Sequence, residues 1–230
     1  RDPEMSRGLG DVYKRQILVT MVGGMLLALL FNRMTRSFGL MRAFVFVPKY
    51  VAMSSAAVVF LWILNTDSGV LNYLLQCIGL PAVDWLNQQS TALPSVLMLT
   101  GWRVIGYGMM IYLSAMMGIS QEYYEAASLD GANGVQKFFR ITLPLLSPTT
   151  LFLLVTTFLS SMKVFQSVDI LTSGGPARST EVFVYLIYRY AMVDFRMDRA
   201  ATAAVMFFLI LLVITVLTMK VSDRSVTYDS

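Results

Sequence analysis

The chain has 230 residues and is strongly apolar: 56% of its residues are hydrophobic, 14% are charged, and its mean hydropathy is +0.63. Soluble globular domains contain roughly 45–50% apolar and about 25% charged residues, so this composition excludes an ordinary soluble protein. The net charge of +4 is too small to indicate nucleic-acid binding. A single cysteine, Cys77, excludes an intrachain disulfide, and the lack of histidine removes the commonest metal ligand and general base. We therefore expect no metal site and no cofactor.

Residues 1–16 differ from the rest of the chain because they are polar and lack the continuous apolar stretch of a signal peptide. We expect them to be a non-native leader, such as translated adapter sequence. The alternative is a genuine short polar leader. Residues 17–230 are then expected to form one transmembrane domain.

Apolar segments near twenty residues long dominate this domain. A hydrocarbon layer of about 30 Å requires about twenty helical residues, at about 1.5 Å per residue. The segments lie at 17–31, 43–64, 93–117, 145–165 and 200–219. The sequence therefore predicts an all-α, polytopic transmembrane bundle with five spans.

The charges of the loops predict how these spans are oriented, because cytoplasmic loops carry an excess of Lys and Arg. Loop 32–42, loop 118–144 and the tail after residue 219 are basic, whereas loop 65–92 contains no Lys or Arg. Alternating spans place the three basic segments together on the cytoplasmic side. We expect a sixth span upstream in the natural protein, since it would bring the N-terminus to the same side.

The loop at 120–144 is polar and helix-compatible, although it separates two long apolar runs. Ser120 is a plausible N-cap of a first helix, and Gly131 can end that helix by adopting positive φ. Pro144 is expected to open the next span, with Leu143 extended before it. Such a segment indicates that a partner protein in the aqueous phase binds it.

The spacing of residues in this loop is specific. Glu125-Ala126-Ala127 is followed at fixed offsets by Gly131, Ile141 and Leu143-Pro144. This pattern resembles the EAA loop of the membrane subunits of ABC importers, through which an external ATPase drives the pore. The resemblance implies that the ATPase is contacted by Glu125, Ala126, Ala127, Asp130, Gly131, Ala132 and Phe138. Tyr124, Ala127, Leu129 and Phe138 are expected to supply most of the packing.

A nucleotide-binding P-loop, G-x-x-x-x-G-K-[ST], is not found in the sequence. ATP hydrolysis is therefore expected in a separate subunit, and the chain itself is not expected to be an enzyme.

Similarity to one family extends over most of residues 17–219. The further motifs are Phe46-Val47-Pro48, Trp102-Arg103 with Gly106, and Phe165 and Asp169 before Leu171-Thr172-Ser173-Gly174-Gly175-Pro176 and Thr180. Together they resemble the membrane subunits of carbohydrate ABC importers, such as the maltose, multiple-sugar and glycerol-3-phosphate systems. Two positions depart from the family pattern: Gln166 stands where Asp is common, and Ser120-Gln121 stands where Ile-Pro is usual.

The resemblance implies a type I ABC importer permease fold in a bacterial cell (inner) membrane. It also implies the partners: two ABC ATPase subunits, a second and non-identical permease, an extracytoplasmic solute-binding protein and a sugar substrate.

We expect polar and aromatic side chains to line the substrate pathway, because sugars bind to hydrogen-bonding groups and to aromatic faces. The candidates are Trp102, Arg103, Tyr107, Tyr112, Phe165 and Asp169. Arg103 is placed near the outer end of the third span and Lys163 near that of the fourth, where each would face a cavity, face a partner or anchor at the interface. Packing against lipid or other helices is the alternative for the aromatic residues.

Three other functions remain open from the sequence: an importer of amino acids or inorganic anions, a membrane enzyme, and a membrane protein without transport activity. The Gly-Gly-Pro stretch counts against the first, and the lack of histidine and of a metal-ligand cluster counts against the second.

Overall fold

The computed structural model describes residues 13–32, 36–162 and 164–225. All regular secondary structure in these ranges is helical, as the sequence predicts. The α-helices in chain order are α1 (Tyr13–Phe31), α2 (Arg36–Phe46), α3 (Met53–Ile63), α4 (Val70–Cys77), α5 (Gln89–Met117), α6 (Gln121–Leu129), α7 (Gly134–Lys137), α8 (Leu143–Leu145), α9 (Ser147–Met162), α10 (Gln166–Thr172), α11 (Phe183–Tyr188) and α12 (Met197–Ser225). A 3-10 turn lies at Val47–Tyr50, and π-helical turns lie at Val19–Gly23, Phe138–Thr142 and Arg189–Val193.

Three of the described helices are long and apolar enough to cross a membrane: α1, α5 and the Met197–Val216 part of α12. Two pairs of helices meet the same test together but are bent. Phe38–Tyr50 and Met53–Ile63 meet at 103°, and Gly134–Leu145 and Ser147–Met162 meet at 63°. The described chain thus has up to five spans if each bent pair is one span, which agrees with the predicted helical membrane bundle.

The central helix of the bundle is α5, which contacts α1, α2, α9 and α10. Glycines let two of these neighbours approach its backbone. A Cβ built on Gly106 would lie 2.1 Å from the Val45 carbonyl oxygen, and one built on Gly108 would lie 2.5 Å from the Thr20 carbonyl oxygen. Small residues allow this close packing of helices within membranes. The two glycines therefore fix where α1 and α2 cross α5.

Two buried apolar clusters lie along α5. The cluster at its N-terminal half includes Leu64, Leu99 and Val168, so it joins α5 to the end of α3 and to α10. The cluster at its C-terminal half includes Tyr112 and Leu146, and it joins α5 to α1 and α9. One rigid helix therefore links the two ends of the bundle.

The predicted second span, 43–64, is not a continuous helix. Helix α2 passes into the 3-10 turn at Val47–Tyr50, and Val51 and Ala52 are extended, with ψ of 132° and 134°. Pro48 is buried in this turn and has no N–H to continue a helical ladder. At this break, the backbone of residues 45–50 lies against α5, next to Gly106.

Helix α1 begins four residues earlier than the predicted first span, within the segment expected to be a leader. Tyr13 is 7% exposed, and its hydroxyl oxygen accepts a hydrogen bond from the Phe183 N–H at 3.2 Å. Residues 1–12 lie outside the described ranges. The non-native origin of residues 1–16 stays a prediction.

The loop between α3 and α5 is organised around one buried amide, Asn72, which is 1% exposed. Its Nδ2 donates to the carbonyl oxygens of Thr66 and Val83, each at 2.9 Å. Its Oδ1 accepts from the Val83 N–H at 3.1 Å and from the Trp85 Nε1–H at 2.9 Å. A single side chain therefore joins three parts of the loop.

Replacing Asn72 with alanine should lower the free energy of local opening of residues 65–92 by about 2–4 kcal/mol, because it leaves buried donors and acceptors without partners. Amide hydrogen exchange of the detergent-solubilised protein measures this change. Asn87→Ala is the matched control, since Asn87 is exposed and its side chain bonds only to Asp84 at 3.0 Å. Equal protection in the two variants would show that Asn72 does not organise the loop.

Candidate functional site

The loop between α5 and α9 forms a compact unit, residues 120–142, which we call the elbow. Its first helix, α6, begins at Ser120, whose Oγ accepts a hydrogen bond from the Glu122 N–H at 3.3 Å. Glu122 lies in the first turn, where a carboxylate favours the helix dipole. The predicted N-cap is confirmed.

The end of α6 is closed by a Schellman motif. Gly131 has a φ of +75°, and its N–H donates to the Ser128 carbonyl oxygen at 3.1 Å. The Ala132 N–H donates to the Ala127 carbonyl oxygen at 2.9 Å. These two bonds satisfy carbonyl groups that a helix end otherwise leaves without partners. The predicted glycine stop is therefore confirmed, and the chain reverses direction there.

The second helix of the elbow, α7, is fixed by its own cap and by a link to α6. Asn133 and Gln136 form a capping box in which each side chain accepts a backbone N–H of the other residue at 2.9 Å. Lys137 Nζ donates to Ser128 Oγ at 2.5 Å, and this bond ties α7 to α6. This bond and the turn at Gly131 link the two helices of the elbow.

Four of the seven residues predicted to contact an ATPase are exposed in the elbow. Exposed members are Glu125, Ala126, Asp130 and Gly131, and half-buried members are Ala127, Ala132 and Phe138. The described chain provides no ion-pair partner for Glu125 within 4 Å. No residue of α6 is buried.

Apolar side chains around these residues are also exposed. Leu129 is 90% exposed, and Tyr123, Val135 and Phe139 are more than half exposed. Tyr124 is half-buried, and its hydroxyl lies 2.9 Å from Thr142 Oγ1 within the same chain. Its packing against a partner stays a prediction. Sequence reasoning missed Val135 and Phe139, because only a folded elbow shows which apolar side chains its own chain leaves uncovered.

The elbow is joined to the membrane by a bent connection. The Leu143 N–H donates to the Phe138 carbonyl oxygen, five residues back, in a π-helical turn. Leu143 is helical, with φ of −65° and ψ of −44°, so the prediction that it is extended is wrong. The wider π-helical turn accommodates Pro144 without breaking the helix. The bend lies at Leu146, which is completely buried against the core of the bundle.

Arg103 lies at the middle of α5, fourteen residues from each end of Gln89–Met117, which is about 21 Å. The expectation that it lies near the outer end of the span is wrong, because α5 begins four residues before the predicted span. Its Nη2 donates to the Lys49 carbonyl oxygen at 3.1 Å. Its Nε is buried and has no hydrogen-bond partner in the described chain.

Tyr107 and Trp102 lie on different sides of α5. Lys49 Nζ lies 4.4 Å from the centre of the Tyr107 ring, so these residues and Arg103 form one group. Trp102 contacts Phe60 at a ring distance of 5.6 Å and borders a separate apolar cavity of about 470 Å³. Tyr112 is buried in the C-terminal cluster and lines no described cavity.

Phe165 and Asp169 lie apart from this group, around α10. The Phe165 ring centre is 5.0 Å from that of Tyr188 and 6.1 Å from that of Tyr185. Asp169 lies in the first turn of α10, and its carbonyl oxygen accepts from Ser173 Oγ at 3.1 Å. The six predicted pathway residues therefore fall into four places: Arg103 with Tyr107, Trp102, Tyr112, and Phe165 with Asp169. Lys163 lies outside the described residues.

A buried ion pair supports the loop next to α11. Arg189 Nη1 lies 2.5 Å from Glu181 Oε1, although the contact lacks hydrogen-bond geometry. Burial raises the pKa of Glu181 above the usual carboxyl range, while Arg189 opposes this shift. This pair links the loop to the segment after α11 and does not reach the Lys49 group.

Comparison with known proteins finds one family. The family model described as binding-protein-dependent transport system inner membrane component matches residues 20–228. The chain is 35% identical over 208 residues to the probable ABC transporter permease protein YurN of Bacillus subtilis, a match that covers 89% of this chain and 71% of that protein. It is 32% identical over 212 residues to the sn-glycerol-3-phosphate transport system permease protein UgpA of Agrobacterium fabrum, which covers 92% of this chain and 72% of that protein.

A solved structure shares the fold. It is the bacterial alginate ABC transporter in complex with an alginate pentasaccharide-bound periplasmic protein. The TM-score is 0.84 at 28% sequence identity, and the match covers 95% of this chain and 77% of that chain.

Proposed function

Because the chain belongs to the family of binding-protein-dependent transport system inner membrane components, we propose that it forms one half of a carbohydrate pathway across a bacterial inner membrane. Its multi-pass helical fold is that of an ABC importer permease. A carbohydrate cargo is supported by the relatives, which include an sn-glycerol-3-phosphate permease and an alginate transporter.

The observation that carries this proposal is the exposed elbow. Its two helices are capped within the chain, yet Leu129 and Val135 remain uncovered, and Glu125 has no ion-pair partner among the described residues. Exposed apolar side chains surrounded by polar groups are typical of a protein–protein contact. We assign this surface to one of two separate ABC ATPase subunits, with Glu125, Ala126, Ala127, Asp130, Gly131, Ala132 and Phe138 in the contact.

Two further partners complete the proposed complex. Only 6% of the most apolar stretch of Met197–Val216 is buried within the chain, which leaves α12 for lipid and for a second, non-identical permease. The periplasmic protein in the related alginate complex supports an extracytoplasmic solute-binding protein as the fourth component.

In the proposed mechanism, ATP binding draws the two ATPases together and moves the elbow with them. The connection through Leu146 passes this movement to α9 and the central helix, since that residue packs against both. The spans then open the pathway to one side of the membrane and close it to the other. Such a shift requires contacts that differ between the two states, and the elbow is where the ATPase would make them.

Two substitutions in the elbow test the coupling role. Glu125→Gln removes an unpaired charge, and Gly131→Val disfavours the positive φ at the end of α6, at a cost of about 1–2 kcal/mol. Uptake and solute-stimulated ATP hydrolysis should fall together, by about tenfold for Gly131→Val. Both are measured in proteoliposomes that contain the permease pair and the ATPases, with the binding protein added.

The matched control is Gly134→Ala. A Cβ at Gly131 or at Gly134 meets no atom within 4 Å, but only Gly131 has positive φ. Gly134→Ala should therefore keep full activity. Unchanged uptake in both test variants, with normal membrane insertion, would refute the coupling role of the elbow.

A further inference from the structure

The break between α2 and α3 places Lys49 beside the middle of the central helix. The Lys49 carbonyl oxygen accepts a hydrogen bond from Arg103 Nη2, and its ammonium group lies over the Tyr107 ring. Arg103 is about 21 Å from either end of α5. Two cations therefore lie close to each other at the middle of the central helix. Broken helices at this depth are tolerated where they are buried in protein or line a polar cavity.

A cavity of about 150 Å³ lies directly beside Lys49. Four parts of the chain line it: α1, the helix break, α5 and α9. Its polar groups are those of Gln16, Thr20, Lys49, Tyr107, Thr156, Thr157 and Ser160. The buried Gln16 Oε1 has no hydrogen-bond partner among the described residues. Within the described ranges, the hydroxyls of Tyr107, Thr157 and Ser160 form no hydrogen bond. These three hydroxyls are available to donate to, or accept from, a bound molecule.

Neither cation is neutralised by the described part of the chain. The ion pairs found there involve Arg189, and no carboxylate lies within 4 Å of Lys49 or Arg103. A single charged side chain at a helix centre costs about 2.5–3.5 kcal/mol, and a second cation nearby increases that cost. The Tyr107 ring offsets part of it, by about 0.5–2 kcal/mol. Binding of an anionic group next to Lys49 and Arg103 would offset the free-energy cost that remains.

We propose that the Lys49 cavity binds the acidic group, a carboxylate or a phosphate, of an anionic carbohydrate as it passes through the permease. Lys49 supplies the charge, and the free hydroxyls of Tyr107, Thr157 and Ser160 supply hydrogen bonds. Arg103 positions Lys49 by donating a hydrogen bond to the Lys49 backbone carbonyl oxygen. Its charge also adds to the positive electrostatic potential near the cavity. This inference rests on the proposed function, since it names the class of solute that the pathway carries.

The charge of the cavity favours an anion over a neutral sugar. Among the described residues of its lining, Lys49 is the one side chain that carries a charge. The lining also offers acceptors, because hydroxyl oxygens accept hydrogen bonds and the buried Gln16 Oε1 has no partner among the described residues. The hydrogen-bonding groups alone would therefore suit a neutral sugar as well, and the ammonium group of Lys49 distinguishes the two.

The experiment compares charged and neutral members of matched solute pairs. The complete complex, with the second permease, the ATPases and the binding protein, is reconstituted in proteoliposomes. Glycerol-3-phosphate is paired with glycerol, and digalacturonate with galactobiose, so the pairs also separate phosphate from carboxylate. Uptake is measured for the wild type and for Lys49→Gln, Lys49→Arg and Arg199→Gln.

Wild-type protein should import the charged member of one pair in preference to its neutral partner. Lys49→Gln should lower the maximal uptake rate of that solute by about ten- to one-hundredfold, as expected for loss of a charged hydrogen bond. Lys49→Arg should keep most of the rate because it keeps the charge. Arg199→Gln is the control, since Arg199 is exposed at the start of α12 and does not line the cavity.

Two results would overturn the inference while leaving the importer function intact. One is import of a neutral solute that Lys49→Gln does not change. The other is failure of Lys49→Gln to co-purify with the second permease, which would assign Lys49 to a carboxylate of that partner. If no solute stimulates ATP hydrolysis in the wild type, the proposed function fails, and this inference fails with it.

Discussion

Uptake and solute-stimulated ATP hydrolysis should both fall by about tenfold or more when Leu129 is replaced by aspartate. Leu129 is 90% exposed at the end of α6, so the change costs the isolated subunit little stability. In the assembled importer, the proposed ATPase surface covers this side chain. A carboxylate there would have to lose its water without gaining a partner, which weakens docking.

The measurement is coupled uptake and hydrolysis in proteoliposomes, together with co-purification of the ATPase from detergent. Leu80→Asp is the matched control, because Leu80 is also an exposed leucine but lies in loop 65–92, which the loop charges predict to be on the opposite side of the membrane. It should leave both activities within twofold of wild type, a difference of about 0.4 kcal/mol. Normal ATPase binding by Leu129→Asp would place the docking surface elsewhere on the chain.

Replacement of Gly106 by alanine should destabilise the subunit by about 1–3 kcal/mol or more and abolish transport. The new Cβ would lie 2.1 Å from the Val45 carbonyl oxygen and 2.9 Å from the Phe46 Cα. These are backbone atoms, so no side chain can rotate away to make room. The helix break would have to move off α5, and the hydrogen bond from Arg103 to Lys49 would be lost with it.

Thermal unfolding in detergent and uptake in proteoliposomes check this result. Gly39→Ala on α2 is the control, since a Cβ there meets no atom within 4 Å. That change should be neutral or stabilise the helix by up to about 1 kcal/mol. A Gly106→Ala protein with wild-type stability would mean that the contact between the break and α5 is looser than the structure shows.

The elbow could be predicted in detail from the sequence because its structure depends on local chemistry. Ser120 caps the first helix and Gly131 ends it, as predicted, through partners two to five residues away in the chain. The capping box of Asn133 and Gln136 is equally local, although it was not predicted. Hydrophobic runs likewise predicted the all-helical bundle. Both features depend on neighbours along the chain, which a sequence shows directly.

The features that the sequence did not predict depend on contacts between distant residues. The break after Pro48 sits within a continuous apolar run, so hydropathy alone favoured one straight span over 43–64. The depth of Arg103 was misjudged because α5 continues into a polar stretch at its N-terminus. Lys49 joins Arg103 only through a hydrogen bond between residues 54 positions apart. Pro48, directly before Lys49, was the one residue in the local sequence that indicated a break in the helix at this group.

Because both helices of the elbow are capped within their own chain, the proposed docking surface is formed before a neighbouring protein binds it. A loop that became ordered only on contact would lose conformational entropy at every docking event, and that loss would weaken binding. A preformed surface avoids the loss. In the proposed complex, little of the displacement of the ATPases would then be absorbed by refolding of the elbow.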